Sequence, residues 1–266
     1  MKTNNNTSAY LLTCITNLHA GSGDANFGVI DNLVQRDSIS KMPTINASSL
    51  KGALRQFCDF KWKDEDDKNA RINHIFGPDT ARNKKDTPGI GHFNFFNADL
   101  LSLPAPSNKQ PFFRAISPFV VEEIRAKSKL LGCELSLPSY THEGDRPLIK
   151  SGDNVKIDDF NASINDSLET NNYIGENIAL FKHDQFKQLT QKLPVVARNK
   201  LNKGISENLW YEEVVPRETR FIFFINKEGN YQEEFDKVIQ SELVQVGANA
   251  SVGMGYVNIK KIEENE

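Results

Sequence analysis

The chain has 266 residues, of which 35 are acidic and 32 basic, so its formal charge of −3 is not the bulk charge of a basic nucleic-acid binder. This length suits one large domain or two small ones and supplies enough core to need neither disulfides nor structural metals. With 38% hydrophobic and 25% charged residues, and 16 glycines and 11 prolines, the composition excludes a low-complexity or collagen-like chain.

Three cysteines, Cys14, Cys58 and Cys133, contain no CxxC pair and are odd in number, which argues against a disulfide framework or a Cys-rich zinc site. They read as small buried hydrophobes in a reducing compartment. The N-terminal stretch lacks the apolar core of a signal peptide, and no apolar run approaches the length of a membrane helix. The expectation is a cytoplasmic chain with no membrane partner.

In chain order, residues 9–18 read as a strand, rich in large and β-branched side chains and closed by the turn-prone Gly21, Ser22, Gly23 and Asp24. A long loop follows. Residues 46–61 predict a helix, with Asn46 or Ser48 as its cap and Leu50, Ala53, Leu54, Phe57 and Cys58 at three- and four-residue steps. The charged tract 61–86 reads as a solvent-exposed connection, 93–103 and 112–117 as strands, and Pro118 as the start of a helix ending at Gly132. Residues 140–172 are polar and acidic and read as an inserted mobile loop. Then come a short helix at 184–192, a β-hairpin around Gly204 within 193–215, a buried-type strand at 220–226, an amphipathic helix at 231–243, a glycine-bearing loop at 247–255 and a last strand at 256–262. This order suggests an α+β fold, an antiparallel sheet with helices on one face and long inserted loops.

Charge is unevenly placed. Residues 182–203 carry six basic side chains (Lys182, Lys187, Lys192, Arg198, Lys200 and Lys203) against Asp184 alone, whereas 143–169 carry seven acidic against three basic. A near-neutral chain can therefore still present a basic groove, although a solvated helix face and hairpin would carry the same composition. At the start of the 46–61 helix, free N–H groups with Ser48, Ser49, Lys51 and Arg55 suit a phosphate, and Gly52 would let a polymer backbone approach; capping and tight packing explain the same octet. The segment GANASVGMG, with Gly247, Asn249, Gly253 and Gly255, allows positive φ and could turn several N–H groups towards an anion, but it lacks the Lys-Ser/Thr of a phosphate loop. The loop 19–37 offers His19, Asp24, Asp31 and Asp37, residue types that serve as turn formers and caps as readily as catalysts.

Taken together, LHAGSG with GVIDNLVQRD, then MPTINASSLKGALR, NADLLSLPAPS, FFRAISPF, LPVVARNKLNKGISENLWYEEVVPRET and VGANASVGMGYV resemble, in this order from Leu18 to Val257, the RAMP proteins of CRISPR systems. Within them the resemblance is to the multi-copy backbone subunit of type III-B (Cmr) effector complexes. It implies a single RAMP domain over 1–266 with a ferredoxin-like, RRM-like palm and a protruding β-hairpin thumb placed at 193–215. It implies partners too: CRISPR guide RNA, target single-stranded RNA, further copies stacked head to tail, and the other subunits of the complex. The guide would be held through phosphate and 2′-hydroxyl groups by Ser48, Ser49, Lys51, Arg55, Arg198 and the loop residues Gly247, Asn249, Gly253 and Gly255.

The same resemblance places the catalytic aspartate at Asp31, cleaving target RNA at regular intervals by metal-dependent attack of a 2′-hydroxyl. Asp31 would ligate Mg²⁺ or another divalent cation, or accept the hydroxyl proton. His19 and Glu213 are secondary catalytic candidates, with Tyr211, Glu212 and Glu218 in the same tract leaving its register open. The alternatives are a non-catalytic RNA-binding filament subunit and a metal-independent guide-processing endoribonuclease with His19 as general base.

Overall fold

The run Phe221, Ile222, Phe223, Phe224, Ile225 is apolar at every position, and a strand of that composition is stable only with both faces covered. In the computed structural model, which describes residues 6–23, 28–78 and 89–263, all five side chains are fully buried.

The chain opens with β1 (Thr7–Cys14) and, after a looped stretch, β2 (Thr44–Ile45) leads into helix α1 (Ala47–Lys61). Asn46 occupies the N-cap of α1, but its side chain caps nothing; Gln35 Oε1 accepts the Asn46 N–H and Asn97 Oδ1 accepts the Ala47 N–H. Helix α2 (Lys68–Phe76) lies inside the tract expected to be an exposed connection. Its buried Ile72, Ile75 and Phe76 supply the apolar stripe that the surrounding charges obscured. The end of that tract and Asp24 fall outside the described residues.

There follow β3 (Phe93–Phe95), β4 (Ala98–Pro106), β5 (Phe112–Ile116) and α3 (Pro118–Leu130), where the Ser117 hydroxyl caps the Val120 N–H. The segment 140–172 contains four two-residue strands, β6 (Leu148–Ile149), β7 (Lys156–Ile157), β8 (Phe160–Asn161) and β9 (Ser163–Ile164). Next are β10 (Ile178–Leu180), α4 (His183–Gln191), the hairpin β11 (Val195–Asn202) and β12 (Ile205–Glu213), and β13 (Arg220–Lys227), which carries the apolar run. Helix α5 (Gln232–Ile239), β14 (Val244–Gln245), a 3₁₀ turn at Ala250–Val252 and β15 (Tyr256–Lys261) complete the described chain. The hairpin turns on Lys203 (φ 50°) and Gly204 (φ 84°), two positive-φ residues whose twist matches that of paired strands.

Eleven strands join one sheet in the order β14-β15-β1-β13-β4-β5-β10-β6-β9, with β2 beside β4 and β3 beside β13. Its centre is antiparallel, β1 pairing with β13 and β15 and β13 with β4. At one end β10 lies parallel to β5 and β6 parallel to β9, and these two pairings depart from the antiparallel expectation that the other strand pairs of this sheet meet. The crossover from β5 to β10, which passes through α3 and the 140–172 segment, is long enough to return the chain in the same direction.

Helices cover both faces, not one. On the first, Phe93 and Phe95 pack edge-on to Phe235 of α5, and Lys51 of α1 lies 5.6 Å from the Phe95 ring centre. On the second, Lys127 of α3 reaches Asp99 at 2.5 Å and lies over Phe224, the neighbour of Phe223 in β13 and therefore on the opposite side of the strand. The unbroken apolar run required this; an alternating strand would have left one face to water.

A buried ionic cluster ties α5 to the sheet. Asp236 Oδ1 accepts from the Tyr10 hydroxyl at 2.5 Å, while its Oδ2 takes Lys227 at 2.6 Å and Lys261 at 3.0 Å. Lys227 is 3% exposed. Burial lowers its pKa and the Asp236 carboxylate opposes that shift. Deleting the carboxylate in Asp236→Ala leaves an uncompensated buried ammonium, so we expect a loss of about 3–5 kcal/mol in urea denaturation. A loss below about 1 kcal/mol would contradict this role.

Candidate functional site

Two buried carboxylates in succession, Glu212 and Glu213, end β12, and successive strand residues face opposite ways. Glu212 turns to one side, where its oxygens accept from Trp210 Nε1 at 2.8 Å, Arg198 Nε at 3.2 Å and Asn249 Nδ2 at 2.8 Å. Glu213 turns to the other, accepting from Arg36 Nη2 at 2.6 Å and the Val34 N–H at 3.1 Å. One strand end thus grips its hairpin partner, the 247–255 loop and the 31–36 segment. Burial raises the Glu212 pKa, but the Trp210 hydrogen bond, His19, Arg198 and Asn249 outweigh it and hold the group below the ordinary glutamate range.

Beyond this root the hairpin projects. Ile205, Ser206, Glu207, Asn208 and Leu209 on β12 and Asn199 and Lys200 on β11 are all exposed, so both of its faces meet solvent. Asp31 lies at the emergence point. The Tyr211 N–H donates to Asp31 Oδ2 at 2.7 Å, the Asp31 and Asn32 N–H groups return bonds to the Tyr211 carbonyl at 3.1 Å, and the Asp31 side chain is otherwise exposed.

His19 sits below, 5% exposed, with Nδ1 2.7 Å from the Glu213 carbonyl. A carbonyl only accepts, so Nδ1 carries the proton and, in the neutral ring, Nε2 is the basic nitrogen. Nε2 faces Gly21, where a Cβ would come within 3.2 Å of it.

The start of α1 joins the same region through a residue that sequence reasoning passed over. Gln35 Nε2 donates to the Gly21 carbonyl at 3.1 Å and to Ser49 Oγ at 2.9 Å. Ser48 is exposed; Lys51 is half-buried, its pKa lowered by burial and then by Arg55. No salt bridge engages Lys51 among the described residues, whereas Arg55 Nη1 donates to the Gly77 carbonyl at 2.7 Å behind α2.

The glycine loop is built differently from an open anion nest. Its Ala248, Val252, Gly253, Met254 and Gly255 N–H groups are bonded to backbone carbonyls of His19, Asn249, Ala250, Asn249 and Asn17. Gly247 and Gly255 are needed for close packing, since a Cβ would lie 2.4 Å from the His19 carbonyl oxygen and 2.0 Å from that of Val246. Gly253 alone of the three faces open space. Asn249, at φ 67°, spends its side chain on Glu212.

Much of the basic tract is likewise paired within the chain: Lys192 lies 3.7 and 3.2 Å from Asp158 and Asp159, Lys182 4.0 Å from Asp145, and Lys200 3.0 Å from Glu207. Exposed pairs of this kind are weak and open readily to a stronger anion.

The structure therefore gathers Asp31, His19, Glu213, Arg198, Ser49 and the glycine loop around the hairpin root. It adds Gln35, Arg36 and Trp210, which no sequence pattern singled out, and it places Glu212, already a candidate in the 211–218 tract, at the same root. Among the described residues, no group of three His, Cys, Asp or Glu side chains could hold a metal ion by itself. Nor is any helix long and apolar enough to cross a membrane.

Comparison with known proteins agrees with this architecture. Residues 11–258 match the family model described as the RAMP superfamily. The CRISPR system Cmr endoribonuclease Cmr4 of Pyrococcus furiosus is 28% identical, the alignment covering 97% of each chain. Among solved structures, a chain of the type III-B Cmr-beta complex bound to cognate target RNA superposes with a TM-score of 0.77 at 21% identity over 96% of each chain. Oligomeric Cmr4 from Pyrococcus furiosus does so at 0.72 and 23%, over 98% of this chain and all of the other.

The depressed Glu212 pKa sets a pH window. Its stabilisation is complete above the unfolded value of about 4.3 and is lost as pH falls through the lower folded value. Thermal melts between about pH 3 and 6 should show Glu212→Gln flattening the acid limb relative to the wild-type chain. Parallel acid limbs would contradict an ionised Glu212 at the root.

Proposed function

The chain belongs to the RAMP superfamily, and from that premise we propose that it is a backbone subunit of a cytoplasmic type III-B CRISPR effector complex. In this reading, copies stack head to tail along the guide RNA with the complex's other subunits, and each cuts paired target RNA. The relative named a Cmr endoribonuclease, the oligomeric Cmr4 structure and the Cmr-beta chain bound to target RNA support it. The observation that carries it to particular residues is the placement of an exposed carboxylate, Asp31, against the backbone of a projecting hairpin.

The sheet and its helices act as the ferredoxin-like palm and the 193–215 hairpin as the thumb. A thumb crossing the guide–target duplex displaces a base pair, and the freed ribose rotates so that its 2′-oxygen lies opposite the leaving 5′-oxygen, an alignment that stacked A-form RNA forbids. The 2′-oxygen bonds to phosphorus as the bond to the 5′-oxygen breaks; Asp31 accepts the hydroxyl proton, and the 5′-oxygen takes one from solvent. His19, buried against the Glu213 carbonyl, and Glu213, bound to Arg36 and Val34, hold the Asp31 segment in place.

A lone exposed carboxylate fits Mg²⁺ or another divalent cation only when RNA phosphates and water complete the shell, the usual way Mg²⁺ is held. When bound, the ion would neutralise charge developing on the phosphate. The guide is gripped without regard to sequence by Ser48, Ser49 and Lys51 at the start of α1, with Arg55, Arg198 and the glycine loop alongside.

Asp31→Asn keeps an acceptor for the Tyr211 N–H while removing basicity, so it separates chemistry from scaffolding. In the assembled complex we expect cleavage to fall by about 10²- to 10⁴-fold with guide binding unchanged, and EDTA to do the same to the wild-type protein. Unchanged cleavage in the variant would leave a non-catalytic filament subunit, and cutting in EDTA would sink the metal requirement. Lys51→Glu should weaken binding of every guide alike, reducing the slope of log affinity against log salt by about 0.7 per lost phosphate contact. An effect that depended on guide sequence would contradict backbone recognition.

A further inference from the structure

On the face of the sheet that carries Phe224, away from α1 and α5, the start of β5, the first residue of β13 and the 170–177 segment enclose a polar cavity of about 620 Å³. Gln110, Phe112, Arg114, Asn172, Asn177 and Arg220 line it. Arg220 is fixed there: Nη1 donates to the Tyr173 carbonyl at 2.7 Å, and the guanidinium rests on Gly175 so closely that a Cβ would lie 2.7 Å from Nη1.

This cation has no ion pair of its own among the described residues. Its Nε is buried without a hydrogen-bond partner. The neighbouring carboxylate, Glu218, is held by Arg114, which donates Nη2 to Oε2 at 2.9 Å and Nη1 to the Glu218 carbonyl at 3.0 Å. Against the weaker opposing pull of Glu218, burial and the adjacent Arg114 bring the Arg220 pKa down to about 10, which still leaves it charged at neutral pH. A half-buried guanidinium with no ion pair of its own is unfavourable, and a ligand that brings an anion into contact with it relieves the cost.

We propose that this cavity is a separate binding site for a nucleoside monophosphate, either free or as the terminal nucleotide of an RNA strand. Planar guanidinium donors suit phosphate oxygens. The volume is that of a small-ligand site, far more than a bare ion needs. Around it, the side chains of Gln110, Asn172 and Asn177 offer both donors and acceptors for ribose and base edges. Glu176, also in the lining, is exposed, and since Arg114 is paired with Glu218, Arg220 is the focus of positive charge. The proposal stands apart from the catalytic reading, since it uses none of the hairpin-root residues.

The test is calorimetric titration of the purified full chain with AMP, with adenosine, and with short oligoribonucleotides that carry or lack a 5′-phosphate. We expect AMP to bind and adenosine to bind roughly tenfold or more weaker, and Arg220→Gln to weaken AMP by a similar factor. Asn177→Asp, at an exposed turn position where Asp is tolerated, adds a competing carboxylate and should weaken AMP by about threefold even if Arg220→Gln fails to fold. Tighter binding of the 5′-phosphorylated strand than of AMP assigns the site to a strand end; the reverse assigns it to a free nucleotide. No AMP binding by the wild-type chain, or binding that both variants leave unchanged, overturns the proposal. So does self-association that Arg220→Gln abolishes without any AMP binding, which would give the cavity to a carboxylate of another copy.

Discussion

The arrangement depends on two adjacent buried carboxylates at the end of one strand. A buried carboxylate persists only when donors replace its lost water, and Glu212 and Glu213 each recruit donors from a different part of the chain because strand geometry turns them apart. Glu212 fastens the hairpin to the glycine loop; Glu213 fastens it to the segment carrying Val34 and Arg36. Asp31 is then set at the root of the hairpin by the Tyr211 backbone, whose N–H bonds its carboxylate and whose carbonyl takes the Asp31 and Asn32 N–H groups.

A firm root and an exposed tip suit the lever that the proposed function asks of the hairpin. The root is rigid because its polar groups are satisfied several times over, while the tip from Ile205 to Leu209 offers side chains to solvent on both faces. The glycine loop contributes less as an anion cradle than as packing: it approaches the His19 carbonyl so closely that only glycine fits at Gly247. In the proposed reading RNA contact falls chiefly to side chains, above all to Lys51, which has no salt-bridge partner among the described residues.

Much of this was legible in the sequence. Spacing placed α1, α3, α4 and α5 within a few residues, and Gly204 marked the hairpin turn, because these elements obey local periodicity and turn chemistry. Helix α2 was missed, since its three buried residues are diluted among charges that read as a loop. The coverage of both sheet faces could have been read from the five-residue apolar run of β13, whereas the parallel pairings at the sheet's end depend on where a long crossover returns. At the site, the family resemblance pointed to Asp31, His19 and Glu213, but no local pattern reveals that Gln35 bridges Gly21 to Ser49. Nor does composition show that the basic tract is partly neutralised by Asp158 and Asp159 of the same chain. Those contacts span long sequence separations and exist only once the fold has formed.

The central claim is that a hairpin-borne geometry, set by Asp31, aligns a displaced ribose for attack on its own phosphate. The most direct measurement is end-group and position mapping of a complementary RNA cut by the guide-loaded assembly. The account predicts cuts at even intervals, each leaving a 2′,3′-cyclic phosphate and a 5′-hydroxyl. Ends bearing a 5′-phosphate and a 3′-hydroxyl, or cuts without regular spacing, would contradict it.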